Sequence, residues 1–119
     1  MSTIGIDIIE VERIEAAIAQ WGNRFLAKVY THAELQESHV NPSSLAAKFA
    51  AKEAVMKVLG KGGRGIGWRE IEILSNEEGK PEVTLYGHAL KRATELNLAR
   101  FSLSLSDSKQ YAIAVALGE

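Results

Sequence analysis

The chain has 119 residues, of which 46% are hydrophobic, and a formal net charge of -1 from 14 basic and 15 acidic side chains. This length is typical of one compact core, so we expect a single domain over residues 1–119. The near-neutral charge excludes a general attraction to nucleic acid or to an anionic membrane, and any polyanionic ligand must bind a local basic patch. The absence of cysteine excludes disulfides and thiolate zinc sites. No apolar stretch reaches the roughly 18 residues of a membrane span, so we expect a cytoplasmic protein that is neither exported nor embedded.

The amino-terminal third predicts one strand and three helical segments. The isoleucine-rich run from Ile4 to Ile9 is typical of a strand that is covered on both faces. Apolar residues recur at helical spacing over 11–21, and a shorter helical piece follows over 24–30. Thr31 and Glu34 have the spacing of a capping box, which opens a further helix.

The longest helix is predicted over 45–59, a stretch without glycine or proline that contains five alanines. A proline-containing turn over 41–44 precedes it. The segment 60–67 follows it and is too rich in glycine for regular structure.

The remaining residues predict two hairpins with a helix between them. Apolar and polar residues alternate in four segments, which predicts strands over 70–73, 82–85, 101–105 and 111–117. A helix is predicted over 86–97, between the second strand and the third. The last strand has a flat alanine face, which must lie closely against a helix or another copy of the chain. The order of elements predicts an α+β fold in which an antiparallel sheet packs with a long central helix.

Two carboxylates stand in environments that do not suit them. Asp7 interrupts the isoleucine strand, where a buried aspartate costs free energy unless a hydrogen bond or a cation compensates it. Glu53 lies four residues after Phe49, on the apolar stripe of the long helix. Two rigidly held carboxylates, completed by phosphate and water, suit Mg²⁺. A hydrogen-bonded aspartate at the end of the strand and a simple pair of Glu53 with Lys57 remain open as alternatives.

Basic residues lie on both sides of Glu53 along the chain, and together they would hold several phosphates. They are Lys48, Lys52, Lys57, Lys61 and Arg64. The glycine-rich segment is not a nucleoside-triphosphate P-loop, because it follows a helix and has no Ser or Thr after its lysine. Ordinary solvated charges are the alternative interpretation. The histidines are scattered and are assigned to the surface: His32, His39 and His88.

Two segments resemble the signatures of the holo-acyl-carrier-protein synthases, a short trimeric type within the 4'-phosphopantetheinyl transferase superfamily. The first is GIDIIE at 5–10, and the second is FAAKEA at 49–54 with Lys57 beyond it. They occur in the order and at about the separation that is typical of the family. The likeness continues through 70–73, 79–81, 104–106 and 111–112, so it covers almost the whole chain.

The resemblance implies a magnesium-dependent enzyme that moves phosphopantetheine from coenzyme A to a serine of apo acyl carrier protein, releases 3',5'-ADP and supports fatty acid biosynthesis. Asp7 and Glu53 would be the Mg²⁺ ligands, and Lys57 would join them as the third catalytic residue. The candidate coenzyme A contacts are Lys48, Lys52, Lys57, Lys61, Arg64 and Gly65. The general base stays open between Glu53, a metal-held water and bulk solvent. Asp107 stands where many members carry histidine, and we leave it out of catalysis.

The resemblance also implies partners. Family members are homotrimers that bind coenzyme A in clefts between subunits, and their acidic carrier protein docks on the first helical region, where Arg13, Arg24 and Lys28 are candidates. The alternative function is a non-catalytic coenzyme A or nucleotide-binding module of the same fold. Such a module would not need Asp7, so Asp7→Ala would leave nucleotide binding largely intact in the module and abolish turnover in the enzyme.

Overall fold

A central helix organises the computed structural model, which describes residues 1–60 and 65–119. In chain order the elements are β1 (Thr3–Glu10), α1 (Val11–Trp21), α2 (Asn23–Val29), α3 (His32–Ser38), α4 (Pro42–Leu59), β2 (Ile71–Ser75), β3 (Pro81–Leu85), α5 (Gly87–Glu95), β4 (Phe101–Asp107) and β5 (Tyr111–Gly118). A 3-10 turn, Trp68–Glu70, leads into β2. The α+β class and the long central helix are confirmed.

The strands form two antiparallel groups. β1, β5 and β4 form a three-stranded sheet in that order, and β2 pairs with β3. In the larger sheet Asp7 of β1 and Leu105 of β4 both lie opposite Ala114 of β5. The predicted hairpins are therefore present, and the first strand joins the second hairpin through β5.

Helix α4 lies against the alanine face of β5, which decides between the two predicted neighbours of that face. Ala112, Ala114 and Ala116 are fully buried, as is Ala54 on the helix. The approach of β1 is equally close, because a Cβ at Gly5 would overlap the carbonyl oxygen of Ala54. Small residues on both sides allow the backbone of the sheet to approach the helix directly.

The prediction that β1 is covered on both faces is wrong for the single chain. Ile4, Ile6 and Ile8 are 67%, 54% and 61% exposed, whereas Gly5 and Ile9 on the other face are buried. Alternate residues of a strand point to opposite faces, and α4 covers only one of them. The isoleucine face is open in the described part of the chain.

The start of α4 also differs from the prediction. The helix begins at Pro42, not at Leu45, because the Asn41 side chain accepts hydrogen bonds from the backbone N–H groups of Ser43 and Ser44 at 2.9 and 3.2 Å. Proline is well suited to the first helical position, where its missing N–H leaves no hydrogen bond unmade. The turn predicted over 41–44 is thus a capped helix start.

The start of α3 follows the prediction. Thr31 accepts a hydrogen bond from the backbone of Glu34, and the Glu34 side chain accepts one from the backbone of Thr31 at 2.8 Å.

Searched over the described residues, the helices include none that is long and apolar enough to cross a membrane.

Candidate functional site

Asp7 and Glu53 line the same open cavity, which has a volume of about 290 Å³. Asp7 lies on the face of β1 that turns toward α4, and Glu53 projects from α4. Partial burial raises the pKa of Glu53, the negative charge of Asp7 raises it further, and Lys57 acts in the opposite direction. The two carboxylates, 46 residues apart in the sequence (53 minus 7), therefore meet at one surface.

Gly5 explains how the two carboxylates meet. A side chain at this position would collide with the Ala54 carbonyl and lie 3.1 Å from the Cβ of Lys57. Because residues two apart on a strand share a face, the close contact at Gly5 also brings Asp7 to the surface of α4. The glycine of the first signature therefore has a packing reason.

Lys57 supplies the positive charge beside these carboxylates. Its Nζ donates to the backbone oxygen of Ile6 at 2.8 Å and lies 3.4 Å from Oδ1 of Asp7. Its side chain is 55% exposed. The ion-pair contact of Lys57 is thus with Asp7, and the simple helical pair with Glu53 does not describe this site.

Lys52 is turned away from the cavity and is fully buried. Its Nζ lies 2.9 Å from Oε1 of Glu34, and it also donates to the backbone oxygens of Trp68, at 3.0 Å, and Ile71. Burial lowers the pKa of Lys52, and the neighbouring Glu34 carboxylate opposes that shift. The predicted contact of Lys52 with coenzyme A gains no support, because its donors are used inside the protein.

Lys48 has a similar environment one turn earlier in α4. Its Nζ contacts Oε1 of Glu37 and the backbone oxygen of Ile73, both at 2.7 Å. The side chain is 8% exposed. We therefore remove Lys48 and Lys52 from the candidate ligands, since both ammonium groups tie α4 to neighbouring elements.

The other predicted coenzyme A contacts lie beyond the end of α4. Lys61 and Arg64 fall outside the described residues. Gly65 is exposed and has a φ of 87°, a left-handed conformation that favours glycine. Asp107 is exposed at the end of β4. The histidines are on the surface as predicted: His32, His39 and His88.

The predicted docking residues divide between two cavities. Arg24 and Lys28 line a second cavity of about 330 Å³ together with Trp21 and Phe25. The Arg24 guanidinium lies over the Trp21 ring, 5.9 Å from its centroid. Arg13 lines the first cavity instead, and Phe25 lines both. The basic groove therefore adjoins the carboxylate site.

Two aromatic residues of the site were missed at the level of sequence. Phe49 lines the carboxylate cavity, and the Trp68 ring stacks on it with centroids 4.8 Å apart and planes 25° apart. The signal for Phe49 was its position one helical turn before Glu53. Nothing in the sequence linked Trp68 to the site, because its contact crosses from the 3-10 turn to α4.

The donor set fits Mg²⁺. Asp7 and Glu53 are the two carboxylates among the residues that line the cavity, and among the described residues no group of three or more His, Asp or Glu side chains could hold a metal ion. Mg²⁺ is usually bound by one or two carboxylates together with substrate phosphates and several waters. The open side of the cavity leaves room for such non-protein ligands.

Comparison with known proteins gives a consistent family. Residues 3–116 match the model of the 4'-phosphopantetheinyl transferase superfamily. The holo-[acyl-carrier-protein] synthase of Herpetosiphon aurantiacus is 45% identical over 125 aligned positions, covering 99% of this chain and 98% of that protein. The synthase of Dehalococcoides mccartyi is 47% identical over 115 positions, with 97% and 96% covered.

A solved structure agrees with these sequences. The holo-[acyl-carrier-protein] synthase of Helicobacter pylori, determined in complex with coenzyme A, superposes with a TM-score of 0.88 at 31% identity, covering 98% of this chain and 99% of that chain. The family indicated by the two signatures is confirmed. The chain belongs to the 4'-phosphopantetheinyl transferase superfamily, and within it to the holo-acyl-carrier-protein synthases.

Proposed function

We propose that this protein transfers 4'-phosphopantetheine from coenzyme A to a serine of apo acyl carrier protein, which gives the holo carrier and 3',5'-ADP. The observation that carries the proposal is the meeting of Asp7 and Glu53 at one open cavity in a chain of this family. The serine oxygen forms a bond to the phosphorus on the pantetheine side, and the bond from that phosphorus to 3',5'-ADP breaks, with its electron pair leaving on the 3',5'-ADP. The serine proton goes to the general base, which stays open among the three candidates named above.

Asp7 and Glu53 would hold Mg²⁺ in this proposal. When bound, the ion neutralises the charge that develops on the phosphate oxygens during transfer. The chain itself contributes the two rigid carboxylates, one from a strand and one from a helix, and thereby positions the pyrophosphate of coenzyme A. The close packing of Gly5 on α4 supports a rigid placement of both carboxylates.

Lys57 would bind a phosphate of coenzyme A. Its ammonium group lies beside Asp7, and its side chain is exposed enough to reach a ligand. Three further candidates follow Lys57 along the chain and stay predicted contacts: Lys61, Arg64 and Gly65. A lysine supplies a compact charge and three donors, which suits a phosphate that does not require a bidentate partner.

The exposed isoleucine face supports self-association, which we propose to be the homotrimer that the family resemblance implies. Ile4, Ile6 and Ile8 stand opposite Leu117, Val115 and Ile113 in the register of the sheet, so the two strands together present a continuous apolar surface. Contiguous apolar surfaces of this kind mark sites of association. Sedimentation velocity should give a species of three chains at micromolar concentration, and a monomer would remove the trimer and its shared cleft.

The carrier protein would dock on the basic groove next to the site. Arg24, Lys28 and the aromatic residues Trp21 and Phe25 form this groove, and Arg13 lies in the adjoining cavity. An acidic carrier that binds through these cations should show a KM that rises with salt. In this proposal the enzyme acts in the cytoplasm and supports fatty acid biosynthesis.

The test is intact-mass spectrometry of an apo acyl carrier protein after incubation with this protein, coenzyme A and Mg²⁺. We expect a phosphopantetheine adduct that disappears with chelator and that forms about 100-fold more slowly with Glu53→Gln. Binding of coenzyme A without an adduct on several unrelated carriers would contradict the proposal and favour the non-catalytic binding module.

A further inference from the structure

We propose that the buried ion pair of Glu34 and Lys52 positions Phe49, the aromatic residue of α4 that lines the Asp7–Glu53 cavity. It acts through the 3-10 turn Trp68–Glu70, and neither residue touches substrate. Both are positioning residues, and their effect on turnover rests on the transfer reaction proposed above.

Lys52 connects α4 to the 3-10 turn and to the first residue of β2. Its Nζ donates to the backbone oxygens of Trp68 and Ile71, and its third partner is Oε1 of Glu34 at 2.9 Å. A lysine ammonium has three donors and no acceptor, so all of its donors have a protein partner. The ammonium group therefore fixes the ends of the turn relative to the helix.

Glu34 holds the same arrangement from the side of α3. Its Oε1 also accepts from the backbone N–H of Thr31 at 2.8 Å, and its Oε2 accepts from the backbone N–H of Ile73 at 2.8 Å. Both side chains of the ion pair are 0% exposed. One buried carboxylate thus ties α3 and β2 to the helix that carries Glu53.

The turn transmits this position to the site. The carbonyl of Trp68 is held by Lys52, and the Trp68 ring stacks on Phe49, which lines the cavity with Asp7 and Glu53. Lys52 and Glu53 are consecutive on α4, so their side chains leave the helix about 100° apart. Holding Lys52 on one side therefore also restricts the rotation of the helix that aims Glu53 on the other.

Stability alone is a weak reason for this ion pair. Replacing a buried pair with apolar residues of similar size is often neutral or stabilising, because removing two charges from water costs more than their attraction returns. A pair that also binds four backbone groups, those of Thr31, Trp68, Ile71 and Ile73, has a second reason to be there. Its predicted contribution is a defined position of Phe49 and Glu53.

The first test replaces both charges with neutral groups of similar size. Glu34→Gln/Lys52→Met removes the donors to the turn, and glutamine keeps an acceptor for the capping box. We expect kcat to fall roughly 10- to 100-fold, the range that a misplaced site of about 1 Å produces, with KM for coenzyme A changed far less. Val55→Ala is the matched control, since it truncates a fully buried side chain of α4 that belongs to neither the pair nor the cavity wall.

A spectroscopic arm reports on the turn without any turnover. Trp21 and Trp68 are the two tryptophans of the chain, so Trp21→Phe leaves Trp68 as the single tryptophan. In that background the double change should shift the emission of Trp68 to longer wavelength and lower its anisotropy, whereas Val55→Ala should do neither.

A rescue arm uses the absence of cysteine. Lys52→Cys provides one thiol, which can be aminoethylated in denaturant before refolding to give a close analogue of lysine. We expect low kcat for the free thiol and for a carbamidomethyl control, and recovery of most of the kcat for the aminoethylated protein.

The outcomes separate the two proposals. An active wild type with unchanged kcat and unchanged Trp68 emission in the double variant would overturn the positioning role. A kcat loss that Val55→Ala reproduces at equal loss of stability would overturn it too. A wild type that modifies no carrier would contradict the proposed function, while the emission and anisotropy of Trp68 would still decide whether the pair holds the turn.

Discussion

The two sides of α4 use charged residues in opposite ways. On one side Lys52 is fully buried and has three protein partners, including Glu34. On the other side Glu53 and Asp7 share a cavity that is open to solvent, and the pKa of Glu53 is raised by burial and by the like charge of Asp7. The buried side is electrostatically complete, whereas on the open side two like charges share one cavity, and a divalent cation bound between them would relieve their repulsion. Functional sites are expected where the fold leaves such a conflict in place.

The largest expected effect tests the buried side. Lys52→Met leaves Glu34 as a buried charge without its cation, and breaking a buried pair in this way typically costs about 3–5 kcal/mol. Urea unfolding followed by circular dichroism at neutral pH should show a loss of this size in the free energy of unfolding. Lys57→Met is the control, because the exposed pair of Lys57 with Asp7 should contribute less than about 1 kcal/mol. Equal losses in both variants would erase the distinction between the two sides.

The next effect tests the open side. Glu53→Gln should lower kcat about 100-fold, which corresponds to about 2.7 kcal/mol of lost transition-state stabilisation. The free energy of unfolding should stay the same or rise, because the variant removes the repulsion between Glu53 and Asp7. Adduct formation by mass spectrometry and urea unfolding measure the two quantities on one sample. A large loss of stability with full activity would assign Glu53 to the fold and not to the site.

A third effect tests the contact that joins the strand to the helix. Gly5→Ala places a methyl group against the Ala54 carbonyl, and overpacking of this kind costs about 1–3 kcal/mol. Because the strand must move to relieve the contact, Asp7 should shift and activity should fall as well. Gly67→Ala is the matched control, since its added Cβ would meet Glu70 at an ordinary 3.9 Å. Full activity in Gly5→Ala would show that the placement of Asp7 does not depend on this contact.

The smallest effect concerns pH and the partly buried pair of Lys48 with Glu37. Burial alone would raise the pKa of Glu37, but hydrogen bonds from Lys48 and Ser75 outweigh it, and the pKa lies below its ordinary value. A lowered folded-state pKa stabilises the protein above the unfolded-state pKa, and this contribution is lost as pH falls through the folded-state value. Glu37→Gln should therefore be less stable than the wild type at neutral pH by less than about 1 kcal/mol. Unfolding at a series of pH values should show the difference shrinking in acid, and a difference that grows in acid would contradict the assignment.

Local features of the chain were predictable because their causes are local. The capping box of Thr31 and Glu34 needs only four consecutive residues, and the alternation of alanine with larger apolar residues identifies β5. The predicted start of α4 was wrong by three residues, because a proline at position 42 suggests a turn. The structure shows that the Asn41 side chain caps the helix there and that Pro42 is its first residue.

The candidate site was predicted in part. Asp7 and Glu53 stood out because each contradicts its surroundings, and the two signatures joined them before any geometry was known. Lys48 and Lys52 carry the same charge as Lys57 and lie on the same helix, yet they point into the protein, toward Glu37 and Glu34. The sequence specifies the charge of a side chain, but the direction in which that side chain points depends on which elements surround the helix.

Residue types and their short-range spacing were enough to predict the α+β class, the long helix and the two unusual carboxylates, and the resemblance at two signatures was enough to indicate the family. The packing of β1 on α4 at Gly5, the stacking of Trp68 on Phe49 and the burial of Lys48 and Lys52 became known only from the folded structure. These contacts join residues that are distant along the chain, and no periodic pattern in the sequence indicates them. They arise when the chain closes around α4 and each side chain meets either protein or open space.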